Sequence, residues 1–264
     1  MSAAVDTREG KLILDSHKLS YHMDRVQAWE SGERIAPISV DMALTRACGA
    51  MCSFCYAMVQ ESQERSSVKT PVALKLVDDF ERLGIRSVSL VSDGESTLSP
   101  AYVPFIKHAY EAGIDVGNGT NGWEWEPEKI EQVLPYLTWV RFTVAAGRPS
   151  TYANMMYKGP EHTQVFDRAM ANIKYAVDLK RMKNLPVTLG IQMVLMPGMG
   201  EEILPFAQLG VDLGVDYAVI KHCSDDEQGS LAIDYSRYDE MYSSLERAEA
   251  MSTDNTKIIV KWDK

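Results

Sequence analysis

The sequence predicts an α/β protein in which parallel strands alternate with helices around an open barrel. One junction occurs three times along the chain: a helix end, a glycine, a β-branched residue and then an apolar run. It is found at Gly84-Ile85, Gly113-Ile114 and Gly214-Val215. Glycine is common just past a helix C-terminus, and a short apolar run is typical of a buried strand. Repeated junctions of this kind indicate βα units and a parallel sheet, which right-handed crossovers would wind into a barrel.

The elements of this barrel are predicted between residues 36 and 223. Thr70 and Pro71 suit the start of the first helix, as an N-cap and a first-turn proline. Gly84 suits its end. Six strands are expected, near residues 38–45, 86–91, 114–118, 138–144, 187–195 and 216–221. Helices are expected between them, near residues 71–83, 101–112, 127–135, 164–183 and 200–213.

Two stretches flank the barrel. Residues 1–35 are polar and weakly patterned, and we expect them to form a short N-terminal extension. Residues 224–264 are expected to form a C-terminal helix and strand. The barrel itself is assigned to residues 36–223. The flanking elements are a strand at Leu12–Leu14, a helix at Leu19–Trp29, a helix at Tyr235–Met251 and a strand at Lys257–Trp262.

Composition indicates an ordinary globular protein, with 45% hydrophobic and 24% charged residues in 264. The net charge of −10 disfavours non-specific binding to nucleic acid or to anionic membranes. No apolar run reaches the roughly 18–20 residues that span a bilayer, and the N-terminus lacks a signal-peptide pattern. Three of the four cysteines are clustered, which favours a reducing compartment over a disulfide scaffold. We therefore expect a cytoplasmic protein without membrane or nucleic-acid partners.

The cysteine cluster carries the clearest chemical signal. Cys48, Cys52 and Cys55 are spaced Cys-x3-Cys-x2-Cys and follow the first predicted strand. Thiolates are soft ligands that suit iron–sulfur clusters, copper(I) or zinc. Three of them are one short of a complete tetrahedral or four-iron site. Either a distant residue such as Cys223 or a histidine completes a zinc site, or one metal position stays open for chemistry. Structural zinc sites usually pair two ligand clusters, and no second pair is present.

This spacing, with the aromatic Phe54 just before the third cysteine, resembles the signature of the radical S-adenosylmethionine (SAM) superfamily. The resemblance extends from about residue 36 to 223 and implies a partial (β/α)6 TIM-like barrel. It implies that the three cysteines hold a [4Fe–4S] cluster whose fourth iron is chelated by the amino and carboxylate groups of SAM. The reduced cluster would cleave SAM to a 5′-deoxyadenosyl radical that abstracts hydrogen from a substrate. Phe54 and Tyr56 would shield the cluster, or serve only in packing.

The resemblance also assigns residues to the methionine end of SAM. Asp93-Gly94-Glu95, after the second strand, resembles the family's Gly-Gly-Glu motif, which binds the methionine amine. Asp93 replaces the first glycine of that motif, which leaves the turn geometry open. Asn121 lies in a Thr-Asn-Gly sequence after the third strand, where relatives have the same residues. It would hydrogen-bond cofactor or substrate, unless this stretch is only a glycine-rich turn.

Other residues are assigned to the adenosine end of SAM. Thr143 on the fourth strand matches a serine or threonine that often meets the ribose in relatives, although Ala145 stands where many carry an acidic residue. Gln192 on the fifth strand would serve the ribose or the carboxylate, or be a satisfied core group, since a buried amide needs a hydrogen bond. Met196, just past this strand, is expected against the adenosine.

Three further residues have competing interpretations. Cys223 follows the sixth strand and is the only cysteine outside the cluster. It is an inert buried thiol, a hydrogen-atom donor to a substrate radical, as in peptide epimerases of the family, or a ligand to another group. Arg141 and Arg148, on and after the fourth strand, are candidates for pairing with a carboxylate, or form surface ion pairs.

The predicted function is that of a radical SAM enzyme that modifies or epimerises a peptide, supplied with electrons by a flavodoxin or ferredoxin. A peptide is favoured because the layout resembles a peptide-modifying branch whose members often carry a C-terminal auxiliary-cluster domain. That domain is absent here, so residues 224–264 are either a natural end or its beginning. The substrate is expected to enter past Lys221–Asp226. The alternatives are a small metabolite substrate, such as a sugar or nucleoside, and a non-catalytic iron–sulfur redox module.

Overall fold

The structure is a computed structural model that describes residues 19–55, 66–91, 93–159 and 161–262. Its helices are α1 (Met23–Glu30), α2 (Thr70–Leu83), α3 (Tyr102–Glu111), α4 (Pro127–Val133), α5 (Pro149–Tyr157), α6 (Gln164–Lys183), α7 (Gly200–Leu213) and α8 (Tyr242–Glu249). Its strands are β1 (Ser39–Asp41), β2 (Ser87–Leu90), β3 (Asp115–Thr120), β4 (Trp139–Thr143), β5 (Thr188–Leu195), β6 (Tyr217–His222) and β7 (Lys257–Lys261). The predicted strand at Leu12–Leu14 lies outside the described residues.

The strands form one parallel sheet of seven, in the order in which they occur along the chain. No pairing joins β1 to β7 among the described residues, so the sheet is not closed. Consecutive parallel neighbours joined by right-handed crossovers keep their helices on one face of the sheet. The predicted α/β fold, an open barrel of parallel strands, is therefore confirmed. None of the described helices has both the length and the hydrophobicity needed to cross a lipid bilayer.

The two faces of the sheet differ. Phe142, Ile191 and Ala218 point towards the helices: Phe142 packs on Trp125, and a Cβ added to Gly210 of α7 would lie 2.7 Å from the Ala218 Cβ. We call the opposite side the inner face. Alternation along each strand places on it the residues between these core positions.

Several element boundaries differ from those predicted. All six strands of the barrel are present, but the first is only three residues long. The N-cap of α2 is Lys69 rather than Thr70, because Thr70 is already helical. The predicted helix at Tyr235–Met251 is a 3-10 helix, Tyr235–Met241, followed by the shorter α8. Helix α5 was not predicted. The last strand, β7, pairs in parallel with β6 and extends the sheet.

Candidate active site

The cysteine loop, residues 46–55, follows β1 at the edge where all the parallel strands end, here called the carboxyl edge. An isolated antiparallel bridge between Thr45 and Ser67 holds its base. The two hydroxyls lie 2.6 Å apart, and the Thr45 hydroxyl also accepts the N–H of Ala47. Active sites of parallel α/β folds lie at this edge. The loop is therefore a fixed part of the fold at the expected place.

Gly94, after β2, packs directly on the base of the cysteine loop. It has a positive φ of 74°, which favours glycine. A Cβ at this position would collide with the carbonyl oxygen of Thr45 and lie 2.7 Å from the Arg46 Cα. The neighbouring Glu95 N–H donates to the Ala47 carbonyl at 2.8 Å, and the Asp93 carboxylate pairs with Arg46 at 3.5 Å. The Asp-Gly-Glu sequence thus lies against the loop that carries the cysteines.

The Glu95 carboxylate is buried, with 2% of the residue exposed. One oxygen accepts from the N–H and the hydroxyl of Thr97, and the other accepts from the Asn121 N–H at 2.7 Å. Burial raises the pKa of this carboxyl, against the lowering effect of these hydrogen bonds. Glu95 therefore joins the ends of β2 and β3. Its predicted contact with the methionine amine stays a prediction.

Glu124 connects the end of β3 to the cysteine loop, a role that no sequence motif indicates. Its carboxylate accepts from the Asn121 side-chain amide at 2.6 Å and from the backbone N–H of Gly49 at 3.2 Å. The Asn121 side-chain oxygen accepts the Glu124 N–H in return. The Asn121 amide is thus engaged within the chain, and its predicted cofactor contact is not tested by this geometry.

Helix α5 forms a second support for the cysteine loop. The carbonyls of Met155 and Met156 accept the N–H groups of Ser53 and Met51, at 2.9 and 2.7 Å. The Cys52 Sγ lies 3.4 Å from the Met156 Sδ. The α5 helix therefore fixes the middle of the loop by both backbone and sulfur contacts.

An aromatic group covers this side of the loop. The rings of Trp123 and Tyr157 meet edge to face, with centroids 5.7 Å apart, and Tyr152 lies 6.3 Å from Tyr157. Phe54 is partly buried and packs on the same hydrophobic core. The position of Tyr56, which was predicted to help shield the site, lies outside the described residues. The described aromatic side chains exclude water from one flank of the cysteines.

The three clustered cysteines are free thiols and partly buried. Burial raises the pKa of the Cys48 thiol to about 12, and burial followed by the nearby Cys55 and Cys48 raises that of Cys52. A bound metal reverses this effect, because a coordinating thiol is deprotonated outright. No three described His, Cys, Asp or Glu side chains converge as they would on a single metal ion. A four-iron cluster does not need such convergence, because each thiolate binds a different iron. The thiols therefore fit an iron–sulfur cluster.

Thr143 and Gln192 are brought together on the inner face. They are paired in register on β4 and β5, close to the carboxyl edge. Gln192 is buried with 7% exposure, and Val219 of β6 is its other neighbour. Met196 is partly exposed, just past the end of β5. The structure thus places the residues predicted near the adenosine on adjacent strands. Their contacts with SAM stay predictions.

Cys223 is buried, at 2% exposure, just past the end of β6. Its N–H donates to the Leu195 carbonyl and to the Tyr238 hydroxyl, and that hydroxyl donates to the same carbonyl at 2.6 Å. Burial raises the pKa of the thiol. Cys223 shares the carboxyl edge with the cysteine loop, and the ends of β2 to β5 lie between them. Its predicted role as a hydrogen donor is not tested by these contacts.

Glu202, in the first turn of α7, is a buried carboxylate that the sequence analysis did not identify. It accepts from the backbone N–H groups of Gly147 and Arg148, both at 3.0 Å, and from the Thr151 hydroxyl at 2.8 Å. The Arg148 guanidinium pairs with it at 3.3 Å. The predicted pairing of Arg148 with a carboxylate is therefore present, and it joins α7 to the start of α5.

Comparison with solved structures identifies the fold. The structure of Streptococcus suis SuiB bound to S-adenosylmethionine matches with a TM-score of 0.68 and 14% identity, over 96% of this chain and 58% of that one. SuiB bound to the precursor peptide SuiA matches over 96% and 56%, with a TM-score of 0.67 and 16% identity. The protein anSMEcpe with bound AdoMet and the Kp18Cys peptide matches over 85% and 64%, with a TM-score of 0.59 and 13% identity.

These similarities concern the fold, and the chain spans less than two thirds of the length of each of these structures. A search among curated proteins found no match. The family model described as the Radical SAM superfamily matches residues 42–209, which include the cysteine loop, Glu95, Thr143 and Gln192. The predicted family is thereby confirmed: the chain belongs to the radical SAM superfamily of enzymes.

Proposed function

We propose that this enzyme uses SAM and a [4Fe–4S] cluster to modify or epimerise a peptide. When reduced by one electron, the bound cluster would cleave SAM to methionine and a 5′-deoxyadenosyl radical, which takes a hydrogen atom from the substrate. A single observation carries the proposal: three free, partly buried thiols lie on one loop at the carboxyl edge, and the ends of β2 and β3 and helix α5 support that loop.

The residues of the chain would hold and orient the reactants. Cys48, Cys52 and Cys55 would bind the cluster, and the supported loop would hold it at the carboxyl edge. Gly94 and Glu95, next to the loop base, would hold the methionine end of SAM. Glu95 is a buried carboxylate with no cationic partner among the described residues, and such a group suits an ammonium.

The adenosine end of SAM would extend along the carboxyl edge towards β4 and β5. Thr143 and Gln192 supply a hydroxyl and an amide that can hydrogen-bond a ribose. Met196 would lie against the adenosine, and Asn121 would contribute if its amide turned from Glu124 to the cofactor. Trp123 and Tyr157 exclude water from the cysteine loop, which strengthens electrostatic interactions within the site.

A peptide is the favoured substrate. Two solved structures with this fold contain a bound peptide, SuiA in SuiB and Kp18Cys in anSMEcpe. Cys223, at the same edge of the sheet, would donate a hydrogen atom to a substrate radical if the reaction is an epimerisation. A flavodoxin or ferredoxin would supply the electron. We further propose that residues 36–223 form the catalytic barrel, with 1–35 and 224–264 as its flanking segments.

The test is an anaerobic reconstitution with iron and sulfide, followed by incubation with SAM and dithionite. We expect about four irons per chain and release of 5′-deoxyadenosine and methionine. The matched control carries Ala in place of Cys48, Cys52 and Cys55, and it should bind no cluster. Cys223→Ala should keep the cluster. A wild-type protein that binds zinc instead, or a cluster whose electron paramagnetic resonance spectrum ignores SAM, would contradict the proposal.

A further inference from the structure

Arg141 occupies the middle of the inner face of the sheet. On β4 it alternates with Val140 and Phe142, which are fully buried on the helix side. Its neighbours in register are Gly119 on β3 and Gly190 on β5. Neither neighbour has a side chain, so the arginine is the only polar group of this row on the three central strands.

Larger side chains surround the row formed by Gly119, Arg141 and Gly190. A Cβ at Gly190 would collide with the Tyr217 ring, and a Cβ at Gly117, one row deeper, would collide with the Trp139 ring. The two rings therefore lie over these glycines. A Cβ at Gly119 would lie 2.8 Å from Val91 Cγ2. Two aromatic rings and one aliphatic side chain therefore border the row that holds Arg141.

The guanidinium has no hydrogen-bond or ion-pair partner among the residues that the structure describes. It contacts the Trp139 ring, with 5.7 Å between the Cζ and the ring centroid, and its charge lowers the pKa of Tyr217 against the raising effect of burial. Other arginines at the carboxyl edge are paired: Arg46 with Asp93 at 3.5 Å, and Arg148 with Glu202 at 3.3 Å. A guanidinium carries five N–H donors, and leaving them partly buried without an acceptor is costly. The chain has 37 acidic residues, yet none of those described here neutralises Arg141.

The position of Arg141 relative to the proposed SAM site indicates where a ligand of this arginine would bind. It lies one row deeper than Thr143 and Gln192, the residues proposed to meet the ribose. In the proposed function, by contrast, the methionine end of SAM would be held by Gly94 and Glu95, next to the cysteine loop. A ligand of Arg141 therefore enters from the inner face and is distinct from the methionine end of SAM.

We infer that Arg141 is a carboxylate-binding residue for the substrate, so that the enzyme selects peptides with an acidic side chain or a free C-terminal carboxylate. The inference rests on the proposed function, whose peptide substrate it narrows. A carboxylate would accept two parallel hydrogen bonds from the guanidinium, while the Trp139 ring contacts a face of the guanidinium. The rings of Trp139 and Tyr217, which border this row, would contact the adjoining aliphatic carbons of the substrate.

The test is affinity selection from two pools of randomised heptapeptides, one amidated and one with free C-termini, on reconstituted protein with SAM. Mass spectrometry identifies the retained peptides. The proteins compared are wild type, Arg141→Gln, Arg141→Lys and Arg86→Gln, the last an exposed arginine just before β2. We expect the wild type and the Arg86 variant to retain acidic peptides. In Arg141→Gln the affinity for these peptides should fall about 10- to 100-fold, as for a lost charge-assisted hydrogen bond. Arg141→Lys keeps the positive charge but cannot donate two parallel hydrogen bonds. Its affinity for acidic peptides should lie between those of the wild type and Arg141→Gln.

The two pools distinguish the source of the carboxylate. Selection in both pools indicates an acidic side chain, and selection only among free acids indicates the C-terminus. The inference is overturned if the wild type does not prefer acidic peptides, or if Arg141→Gln prefers them equally. It is also overturned if Arg141→Gln weakens SAM binding tenfold, because the arginine would then serve SAM. Release of 5′-deoxyadenosine without peptide tests the proposed function separately: it should be equal in the wild type and the Arg86→Gln control, and its absence from both would overturn the proposed function rather than the role of Arg141.

Discussion

Two buried glutamates at the carboxyl edge, Glu95 and Glu202, hold neighbouring elements together in different ways. Within the part of the chain that the structure describes, Glu95 accepts hydrogen bonds only from neutral donors: the Thr97 N–H and hydroxyl, the Asn121 N–H and the Thr120 side chain. Glu202 accepts from similar neutral groups and also from the Arg148 guanidinium. A carboxylate that is already paired with a cation serves to hold neighbouring elements together. One without a cation keeps its charge for an incoming ammonium group, which is why Glu95 and not Glu202 suits the methionine end of SAM.

The largest effect is expected from two glycines, each adjacent to one of these glutamates. Gly94→Ala would force a Cβ into the Thr45 carbonyl at a positive φ, and should cost about 3–5 kcal/mol of unfolding free energy. Gly147→Ala would meet Pro205, with its Cβ 2.6 Å away, and should cost about 1–3 kcal/mol. Iron content after reconstitution should fall only in the Gly94 variant, because only Gly94 packs on the cysteine loop. Equal iron loss in both would remove the distinction between the two regions.

Removing each glutamate should separate stability from SAM binding. Glu95→Ala and Glu202→Ala each leave buried donors without an acceptor, and each should lower the unfolding free energy by about 2–4 kcal/mol. Only Glu95→Ala should weaken SAM binding, by about tenfold or more, since it removes a charge near the methionine end. Denaturant unfolding and equilibrium SAM binding measure the two effects. If Glu202→Ala weakened SAM binding as much, Glu95 would have no special role.

The pH dependence of stability should show whether burial or hydrogen bonding dominates the pKa of Glu95. Its pKa in the folded protein is raised above the ordinary value of 4.5, chiefly by burial. Between the unfolded and folded pKa values the folded state binds more protons, so its stability falls as pH rises through this interval. The unfolding free energy of wild type relative to Glu95→Gln should therefore decline from pH 4 upwards and then become constant. A difference that rises with pH would mean that the hydrogen bonds outweigh burial.

The smallest effect is expected at Arg148, whose side chain is half exposed, at 50%. Arg148→Gln should lower the unfolding free energy by about 0–1 kcal/mol, because solvent screens an exposed ion pair. The backbone N–H groups of Gly147 and Arg148 still satisfy Glu202 in this variant. Thermal unfolding in low and high salt provides the measurement. A loss of several kcal/mol would show that Glu202 depends on its cation rather than on its backbone donors.

The sequence was sufficient for the sheet and most of its helices, because glycines at helix ends and apolar runs are local signals. Gly84 and Gly214 do end α2 and α7 in the left-handed conformation. Helix α5 was missed because it ends at Lys158, in a left-handed conformation that is rare for lysine, so the usual glycine signal is absent at that position.

The candidate site was predictable only in part. The cysteines form a local pattern, and the Asp-Gly-Glu sequence could be placed at a strand end. The supports formed by Glu124 and Glu202 could not be predicted. Glu124 reaches Gly49, which is 75 residues away, and Glu202 reaches Gly147, which is 55 residues away. Nothing in the local sequence around a glutamate indicates such a distant partner. The function of such a glutamate follows only from the packing of the completed sheet.

The hydrogen bonds along the cysteine loop have a consequence for electron transfer. The N–H groups of Gly49, Met51, Ser53 and Cys55 all donate to oxygen atoms, of Glu124, of helix α5 and of Cys52. None of these four amides is left to donate to sulfur, and such donation is one of the factors that set the reduction potential of a cluster. Hydrogen bonds to sulfur stabilise the more negative, reduced state of a cluster. The backbone N–H groups of Ala50 and Cys52, which interact with the thiols of Cys48 and Cys52, are therefore the amides of this loop that would raise the potential of a bound cluster.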